Sequence, residues 1–148
     1  KIKTDENNNK IFELDLRQEP VCKDLCNYMK ELKDDEDFLF DIFKKYGSAN
    51  RSKNQLKIQI GNVASGAAVI ANSAVTKDIT KQGRKLKGIE MEGYAIYCAA
   101  SHAREPKPTP LVIKSICDYA DENKNDNIQD YAAYTSARVL KEFALRYL

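Results

Sequence analysis

Between Leu56 and Leu148, short apolar runs of strand length alternate with longer stretches whose apolar residues recur every three or four positions. That alternation predicts a layered α/β domain, because strands and helices each carry an apolar face that only the other can cover. Leu56-Lys57-Ile58-Gln59-Ile60 alternates apolar and polar residues, as a half-buried strand does. Gly61 to Ile70 continues with small residues, including the Ser65-Gly66 step, where backbone can approach a neighbour or ligand closely. Thr76 to Leu86 predicts a short helix and turn, Gly88 to Met91 a strand, and Glu92 to Ala103 a buried helix of small residues. Pro106, Pro108 and Pro110 end that region. Leu111 to Cys117 carries the clearest strand pattern, and residues 121–127 are a polar loop. Tyr131, Thr135, Val139, Leu140, Phe143, Ala144 and Tyr147 then mark one stripe of a long C-terminal helix.

The first 54 residues read differently, as a helical segment and linker of the same domain, with residues 55–148 as its second part. Lys1 to Lys10 is polar and predicts a loose end, and Ile11 to Leu16 a short strand or extended lead-in. From Pro20, the residues Val21, Leu25, Tyr28, Met29 and Leu32 recur at helical spacing, with Pro20 suited to a first turn. A second helix follows the acidic run Asp34-Asp35-Glu36-Asp37, with Phe38, Ile42 and Tyr46 on one face and Gly47 as its stop. The acids read as a cap facing the positive end of the helix dipole. No internal repeat is visible.

Composition narrows the function classes. Of the 148 residues, 31% are charged and the formal net charge is +2, with lysines and acids interspersed along the chain. This is a solvated surface and not a nucleic-acid patch. No apolar run nears the ~18–20 residues that span a bilayer, and no signal peptide is visible at the start. Cys22, Cys26, Cys98 and Cys117 fall in helical or buried patterns, as small hydrophobes of a reduced, cytoplasmic protein. With His102 the sole histidine, a zinc site lacks ligands. The loop from Asp121 places Asp126 where an EF-hand requires glycine and Ala132 where it requires glutamate, so a calcium site fails.

Two stretches can carry chemistry. In Glu90-Met91-Glu92, carboxylates flank a methionine where a strand gives way to a helix. A carboxylate there can grip paired hydroxyls, as on a ribose, and Met91 can offer a soft apolar surface to a sugar. The bland alternative makes Glu92 a helix cap and Met91 core. In Ser115-Ile116-Cys117-Asp118, a carboxyl ends an apolar run, placed to donate a proton. Its bland alternative is an Asx turn.

The order of Gly61-Asn62-Val63-Ala64-Ser65-Gly66, then Glu90-Met91-Glu92, then Ser115-Ile116-Cys117-Asp118 with Ala120-Asp121, resembles the purine nucleoside phosphorylase and methylthioadenosine/S-adenosylhomocysteine nucleosidase superfamily. The resemblance covers roughly Leu56 to Leu148. It implies a three-layer α/β/α fold with a central mixed sheet, of which this chain holds the C-terminal half. It implies cleavage of the N-glycosidic bond of a purine nucleoside, by phosphorolysis or hydrolysis. Asp118 would be the general acid that protonates the purine, Glu92 would bind the ribose hydroxyls, and Met91 would pack beneath the sugar. Val69 and Ile70 would wall the base pocket, and Ser65 and Glu90 would join the substrate-binding set. No cofactor is implied, although phosphate is the co-substrate of the phosphorolytic reaction, and a homo-oligomer is implied.

The sequence departs from that pattern at Val69, where an aromatic residue is common, at Cys117, where serine is common, and in Lys1 to Asn54, which has no Gly-rich loop. The expectation is therefore half an active site that is inactive alone. A non-catalytic nucleoside-sensing or regulatory domain is the alternative, and a purely structural domain, with Glu92 and Asp118 as caps, is a third.

Overall fold

A computed structural model of the chain describes all residues except 1, 5, 9, 13–16, 48–51, 53, 67–69, 71, 84 and 121–127. Helix and strand are mixed. The order is β1 (Ile2–Thr4), β2 (Lys10–Phe12), α1 (Lys23–Asp34), α2 (Glu36–Lys45), β3 (Asn62–Ser65), α3 (Ser73–Gln82), β4 (Leu86–Glu90), α4 (Gly93–Ser101) and α5 (Gln129–Tyr147).

The core forms where α1, α2 and α5 meet. Met29 and Leu32 of α1, Ile42 of α2, and Val139 and Phe143 of α5 make one buried cluster. Leu32, Ile42 and Phe143 are fully buried, as helical spacing predicted. Aromatic pairs extend the seam: Tyr28 stacks on Tyr147 at 4.7 Å, and Tyr46 meets Tyr131 edge-on at 5.0 Å. Asp35 caps α2 by accepting the Phe38 N–H at 3.0 Å, and receives Arg146 of α5 at 2.7 Å. One residue of the acidic run thus starts a helix and ties it to another.

The second half contains a β-α-β unit. β3 and β4 pair in parallel, with Ser65 opposite Glu90, and α3 connects them. Asn72 caps α3 by accepting from Ala74 N at 2.9 Å and Val75 N at 3.2 Å. Because the strands are parallel, Ser65 and Glu90 both end them at one edge, and α4 starts three residues past Glu90.

Several expectations are corrected. The polar beginning is not wholly a loose end: β1 and β2 form an antiparallel hairpin, with Asn8 at positive φ in its turn. Leu56–Ile60 alternates in burial as expected, but no strand is assigned there. Nor is one assigned over Leu111–Cys117, the run with the clearest pattern. The physical reason lies in what those segments touch. Leu56, Ile58, Ile60, Leu111 and Ile113 pack by side chain on the helical core, and the Val112 backbone hydrogen-bonds the Tyr97 hydroxyl. Apolar alternation reports which face is buried, whereas a strand also needs a neighbour's backbone. The central sheet among the described residues is accordingly the β3–β4 pair alone.

Helix α4 is shorter than Glu92 to Ala103 and less buried. Gly93 and Ala100 are inside, but Ile96 is 45% exposed. On α5, Leu140 falls outside the buried stripe at 50% exposure. Among the described residues, no helix is long and apolar enough to cross a membrane.

Candidate functional site

The junction between β4 and α4 is built around Glu90. Its side chain is 9% exposed and folds back onto the start of α4. There one oxygen accepts the Glu92 N–H at 2.8 Å and the Gly93 N–H at 2.7 Å. These are among the N–H groups that every helix leaves unpaired at its start. The Ser65 hydroxyl donates to the same carboxylate and accepts the Tyr94 N–H at 3.1 Å. The Lys114 ammonium lies 3.6 Å away. Burial pushes the Glu90 carboxyl up, but the bonds from Ser65, Glu92 N and Gly93 N, with Lys114, outweigh it and hold the group below its ordinary range. Gly93 is needed for this fit, because a Cβ there would stand 2.7 Å from a Glu90 oxygen.

The capping task therefore belongs to Glu90. Glu92 occupies the N-cap position, yet its side chain makes no cap bond. Its carboxylate is more than half exposed and pairs with Lys114. Glu92 holds the lysine in its charged form more strongly than burial opposes it, with smaller help from Glu90. Met91, between the two acids, is 45% exposed and is not core. Both bland alternatives for this triplet are thereby set aside at the level of packing.

Asp118 is placed differently. Its Oδ1 accepts the Ala120 N–H at 2.8 Å, which is an Asx turn, and its Oδ2 is 3.5 Å from the Cys117 thiol. Ala120 has a φ of 53°, a conformation that side chains other than glycine rarely adopt. The turn is pinned by Thr76 of α3, whose hydroxyl lies 2.8 Å from the Ala120 carbonyl. Upstream, Ser115 Oγ is 2.7 Å from Thr135 Oγ1 of α5. Four residues of extended chain span at most ~14 Å, so Asp118 and Lys114 lie within that reach of each other along the segment.

The structure thus joins Ser65, Glu90, Met91 and Glu92 at the strand ends and brings Lys114 to them. Asp118 follows on the segment that carries Lys114. Ile70 is half-buried ahead of α3, and Val69 lies outside the described residues. A depression of about 320 Å³ runs along α3, lined by Thr76, Lys77, Thr80 and Lys81; none of the expected site residues lines it. Among the described residues, no group of three or more His, Cys, Asp or Glu side chains is placed to hold a metal ion. His102 ends α4, with Nδ1 at 2.8 Å from the Cys98 carbonyl.

Lys114 and Thr76 were not singled out by sequence. Lys114 had a signal, being the one charged residue inside the apolar run Leu111–Cys117. Thr76 had none, because its bond reaches across 44 residues.

Comparison with known proteins adds one relative. The chain is 37% identical over 109 residues to "Uncharacterized protein y4jS" of Sinorhizobium fredii (strain NBRC 101917 / NGR234). The match covers 74% of this chain and 26% of that protein, so the chain spans about a quarter of the curated relative's length. No protein-family model matches the chain. No solved structure matches it either.

Proposed function

We propose that the chain is part of a three-layer α/β/α phosphorylase-like domain, within a longer protein, that cleaves the N-glycosidic bond of a purine nucleoside. One observation carries the reading: Glu90 caps α4, which leaves the neighbouring Glu92 carboxylate and Met91 facing out at the ends of two parallel strands. Ligands of open parallel sheets sit at that edge. A carboxylate that is not used by its own helix can accept hydrogen bonds from both hydroxyls of a ribose, with Met91 against the sugar face. Asp118 then donates a proton to the purine ring as the bond to the sugar lengthens. The departing base takes up the electron pair, and the positive charge growing on the ribose is stabilised by the Glu90 and Glu92 carboxylates. Phosphate or water completes the reaction at a site outside these residues. A relative of which the match is 26% leaves room, in a protein of that kind, for such elements.

A nucleoside-sensing domain without turnover is the second reading. The Asx-turn bond favours it, because an acid already engaged by Ala120 N is better suited to hold a ligand than to pass a proton.

The test is base release by the full-length protein from a panel of purine nucleosides, with and without phosphate. Release that requires phosphate means phosphorolysis, and release without it means hydrolysis. Asp118→Asn is expected to lose at least ~100-fold in turnover while still binding nucleoside, at the lower end of what a general acid contributes. Normal turnover by that variant would refute the assignment of Asp118, and binding without release by the unaltered protein would favour the sensor.

A further inference from the structure

We infer that Thr76 is a positioning residue for Asp118, one of two hydroxyl ties that hold residues 115–120 between α3 and α5. This rests on the reading of Asp118 given above. Thr135, 1% exposed, has its hydroxyl 3.1 Å from the Ala132 carbonyl of its own helix and 2.7 Å from Ser115 Oγ. Either hydroxyl can donate in the 2.7 Å bond between Ser115 and Thr135, which ties the segment to α5 in both cases. Thr76 Oγ1 lies 3.1 Å from the Asn72 carbonyl and 2.8 Å from that of Ala120. The Asn72 carbonyl already accepts the Thr76 backbone N–H. The hydroxyl proton goes to Ala120, the closer acceptor and the one across the fold.

Ala120 is the residue that needs holding. Its φ of 53° places a side-chain-bearing residue in the left-handed region, which persists only where the surroundings enforce it. In that conformation the two ends of Ala120 are both used: its N–H reaches Asp118 Oδ1 and its carbonyl takes the Thr76 hydroxyl. Thr76 thus holds the residue that holds the acid. The Ser115–Thr135 bond fixes the same segment three residues before Asp118, so the carboxylate sits between two anchors on different helices. The ~14 Å of chain from Lys114 to Asp118 cannot swing as a free loop, and the direction in which the acid approaches a ligand is set by α3.

The experiment uses the full-length protein with three changes, Thr76→Val, Thr76→Ser and Thr76→Val combined with Ala120→Gly. Amide exchange is read over residues 115–120, with the segment around Phe143 as a folding control, alongside kcat and KM for base release. Thr76→Val is expected to speed exchange at Ala120 about fivefold to tenfold, the loss of one net hydrogen bond. It should lower kcat about tenfold to a hundredfold, as misplaced catalytic groups do, with KM changed less than about threefold. Thr76→Ser should restore both readouts, and Ala120→Gly should recover part of the lost kcat by removing the cost of positive φ. Unchanged exchange in Thr76→Val, or a serine variant as impaired as valine, would overturn the inference. Should the unaltered protein release no base, the functional reading fails, and the exchange data still decide whether the tie exists.

Discussion

Glu90→Ala is the sharpest probe of how the strand-to-helix junction is built. The change removes the acceptor of the Glu92 and Gly93 N–H groups, at 2.8 and 2.7 Å, and leaves both donors without a protein partner at the start of α4. Caps contribute about 0.5–2 kcal/mol, and bonds to an ionised acceptor about 1.5–3 kcal/mol. At 9% exposure little of this is lost to solvent, so about 2 kcal/mol is expected. By the relation of tenfold per 1.4 kcal/mol, amides in the first turn of α4 should exchange about 30-fold faster. Glu90→Gln keeps a neutral acceptor and should lose about half that free energy, roughly fivefold in rate. The pH dependence has a defined sign. The folded carboxyl sits below its ordinary 4.5, so its contribution is complete above that value and disappears as pH falls through the lower, folded one. The ratio between Glu90→Gln and unaltered exchange rates should therefore shrink toward one in that acid window. A 30-fold effect spread evenly over all helices, or no effect at α4, would refute the capping account.

Two further substitutions test the helical core. Phe143→Ala, at a fully buried position, should cost about 3–5 kcal/mol in urea unfolding, whereas Leu140→Ala on the same helix, half exposed, should cost under about 1 kcal/mol. Asp35→Ala removes the α2 cap and the Arg146 partner and should cost about 1–2 kcal/mol. Chiefly the Phe38 N–H, then Arg146, hold the Asp35 carboxyl below its ordinary 3.8, so this difference should be full at neutral pH and fade as pH falls below that value.

What could be read from the sequence, and what could not, follows from the range of the forces involved. The helices α1, α2 and α5 were legible because Leu32, Ile42 and Phe143 recur at a spacing that one helix imposes on itself. The cap at Asp35 was legible as a region, since a cap and its donor lie three residues apart. Leu111–Cys117 was misread because its apolar residues record burial, and burial against helices leaves the same trace as burial in a sheet. The sequence singles out the acids of the triplet but not their division of labour. Whether Glu90 or Glu92 turns back onto α4 depends on where β4 ends and on Ser65 arriving from β3, a contact across 25 positions in the chain. Thr76 was invisible for the same reason.

Ser65 has a consequence of its own. Its single hydroxyl donates a hydrogen bond to an acid on the adjacent strand and accepts one from the backbone N–H of Tyr94 at the start of α4. Three separate stretches of chain are thus joined at one oxygen, at the strand end from which Met91 and Glu92 follow Glu90. Under the proposed function, a nucleoside at that edge would rest on a stiff floor, its fit decided by the reach of the outward side chains instead of by any give in the ground under them.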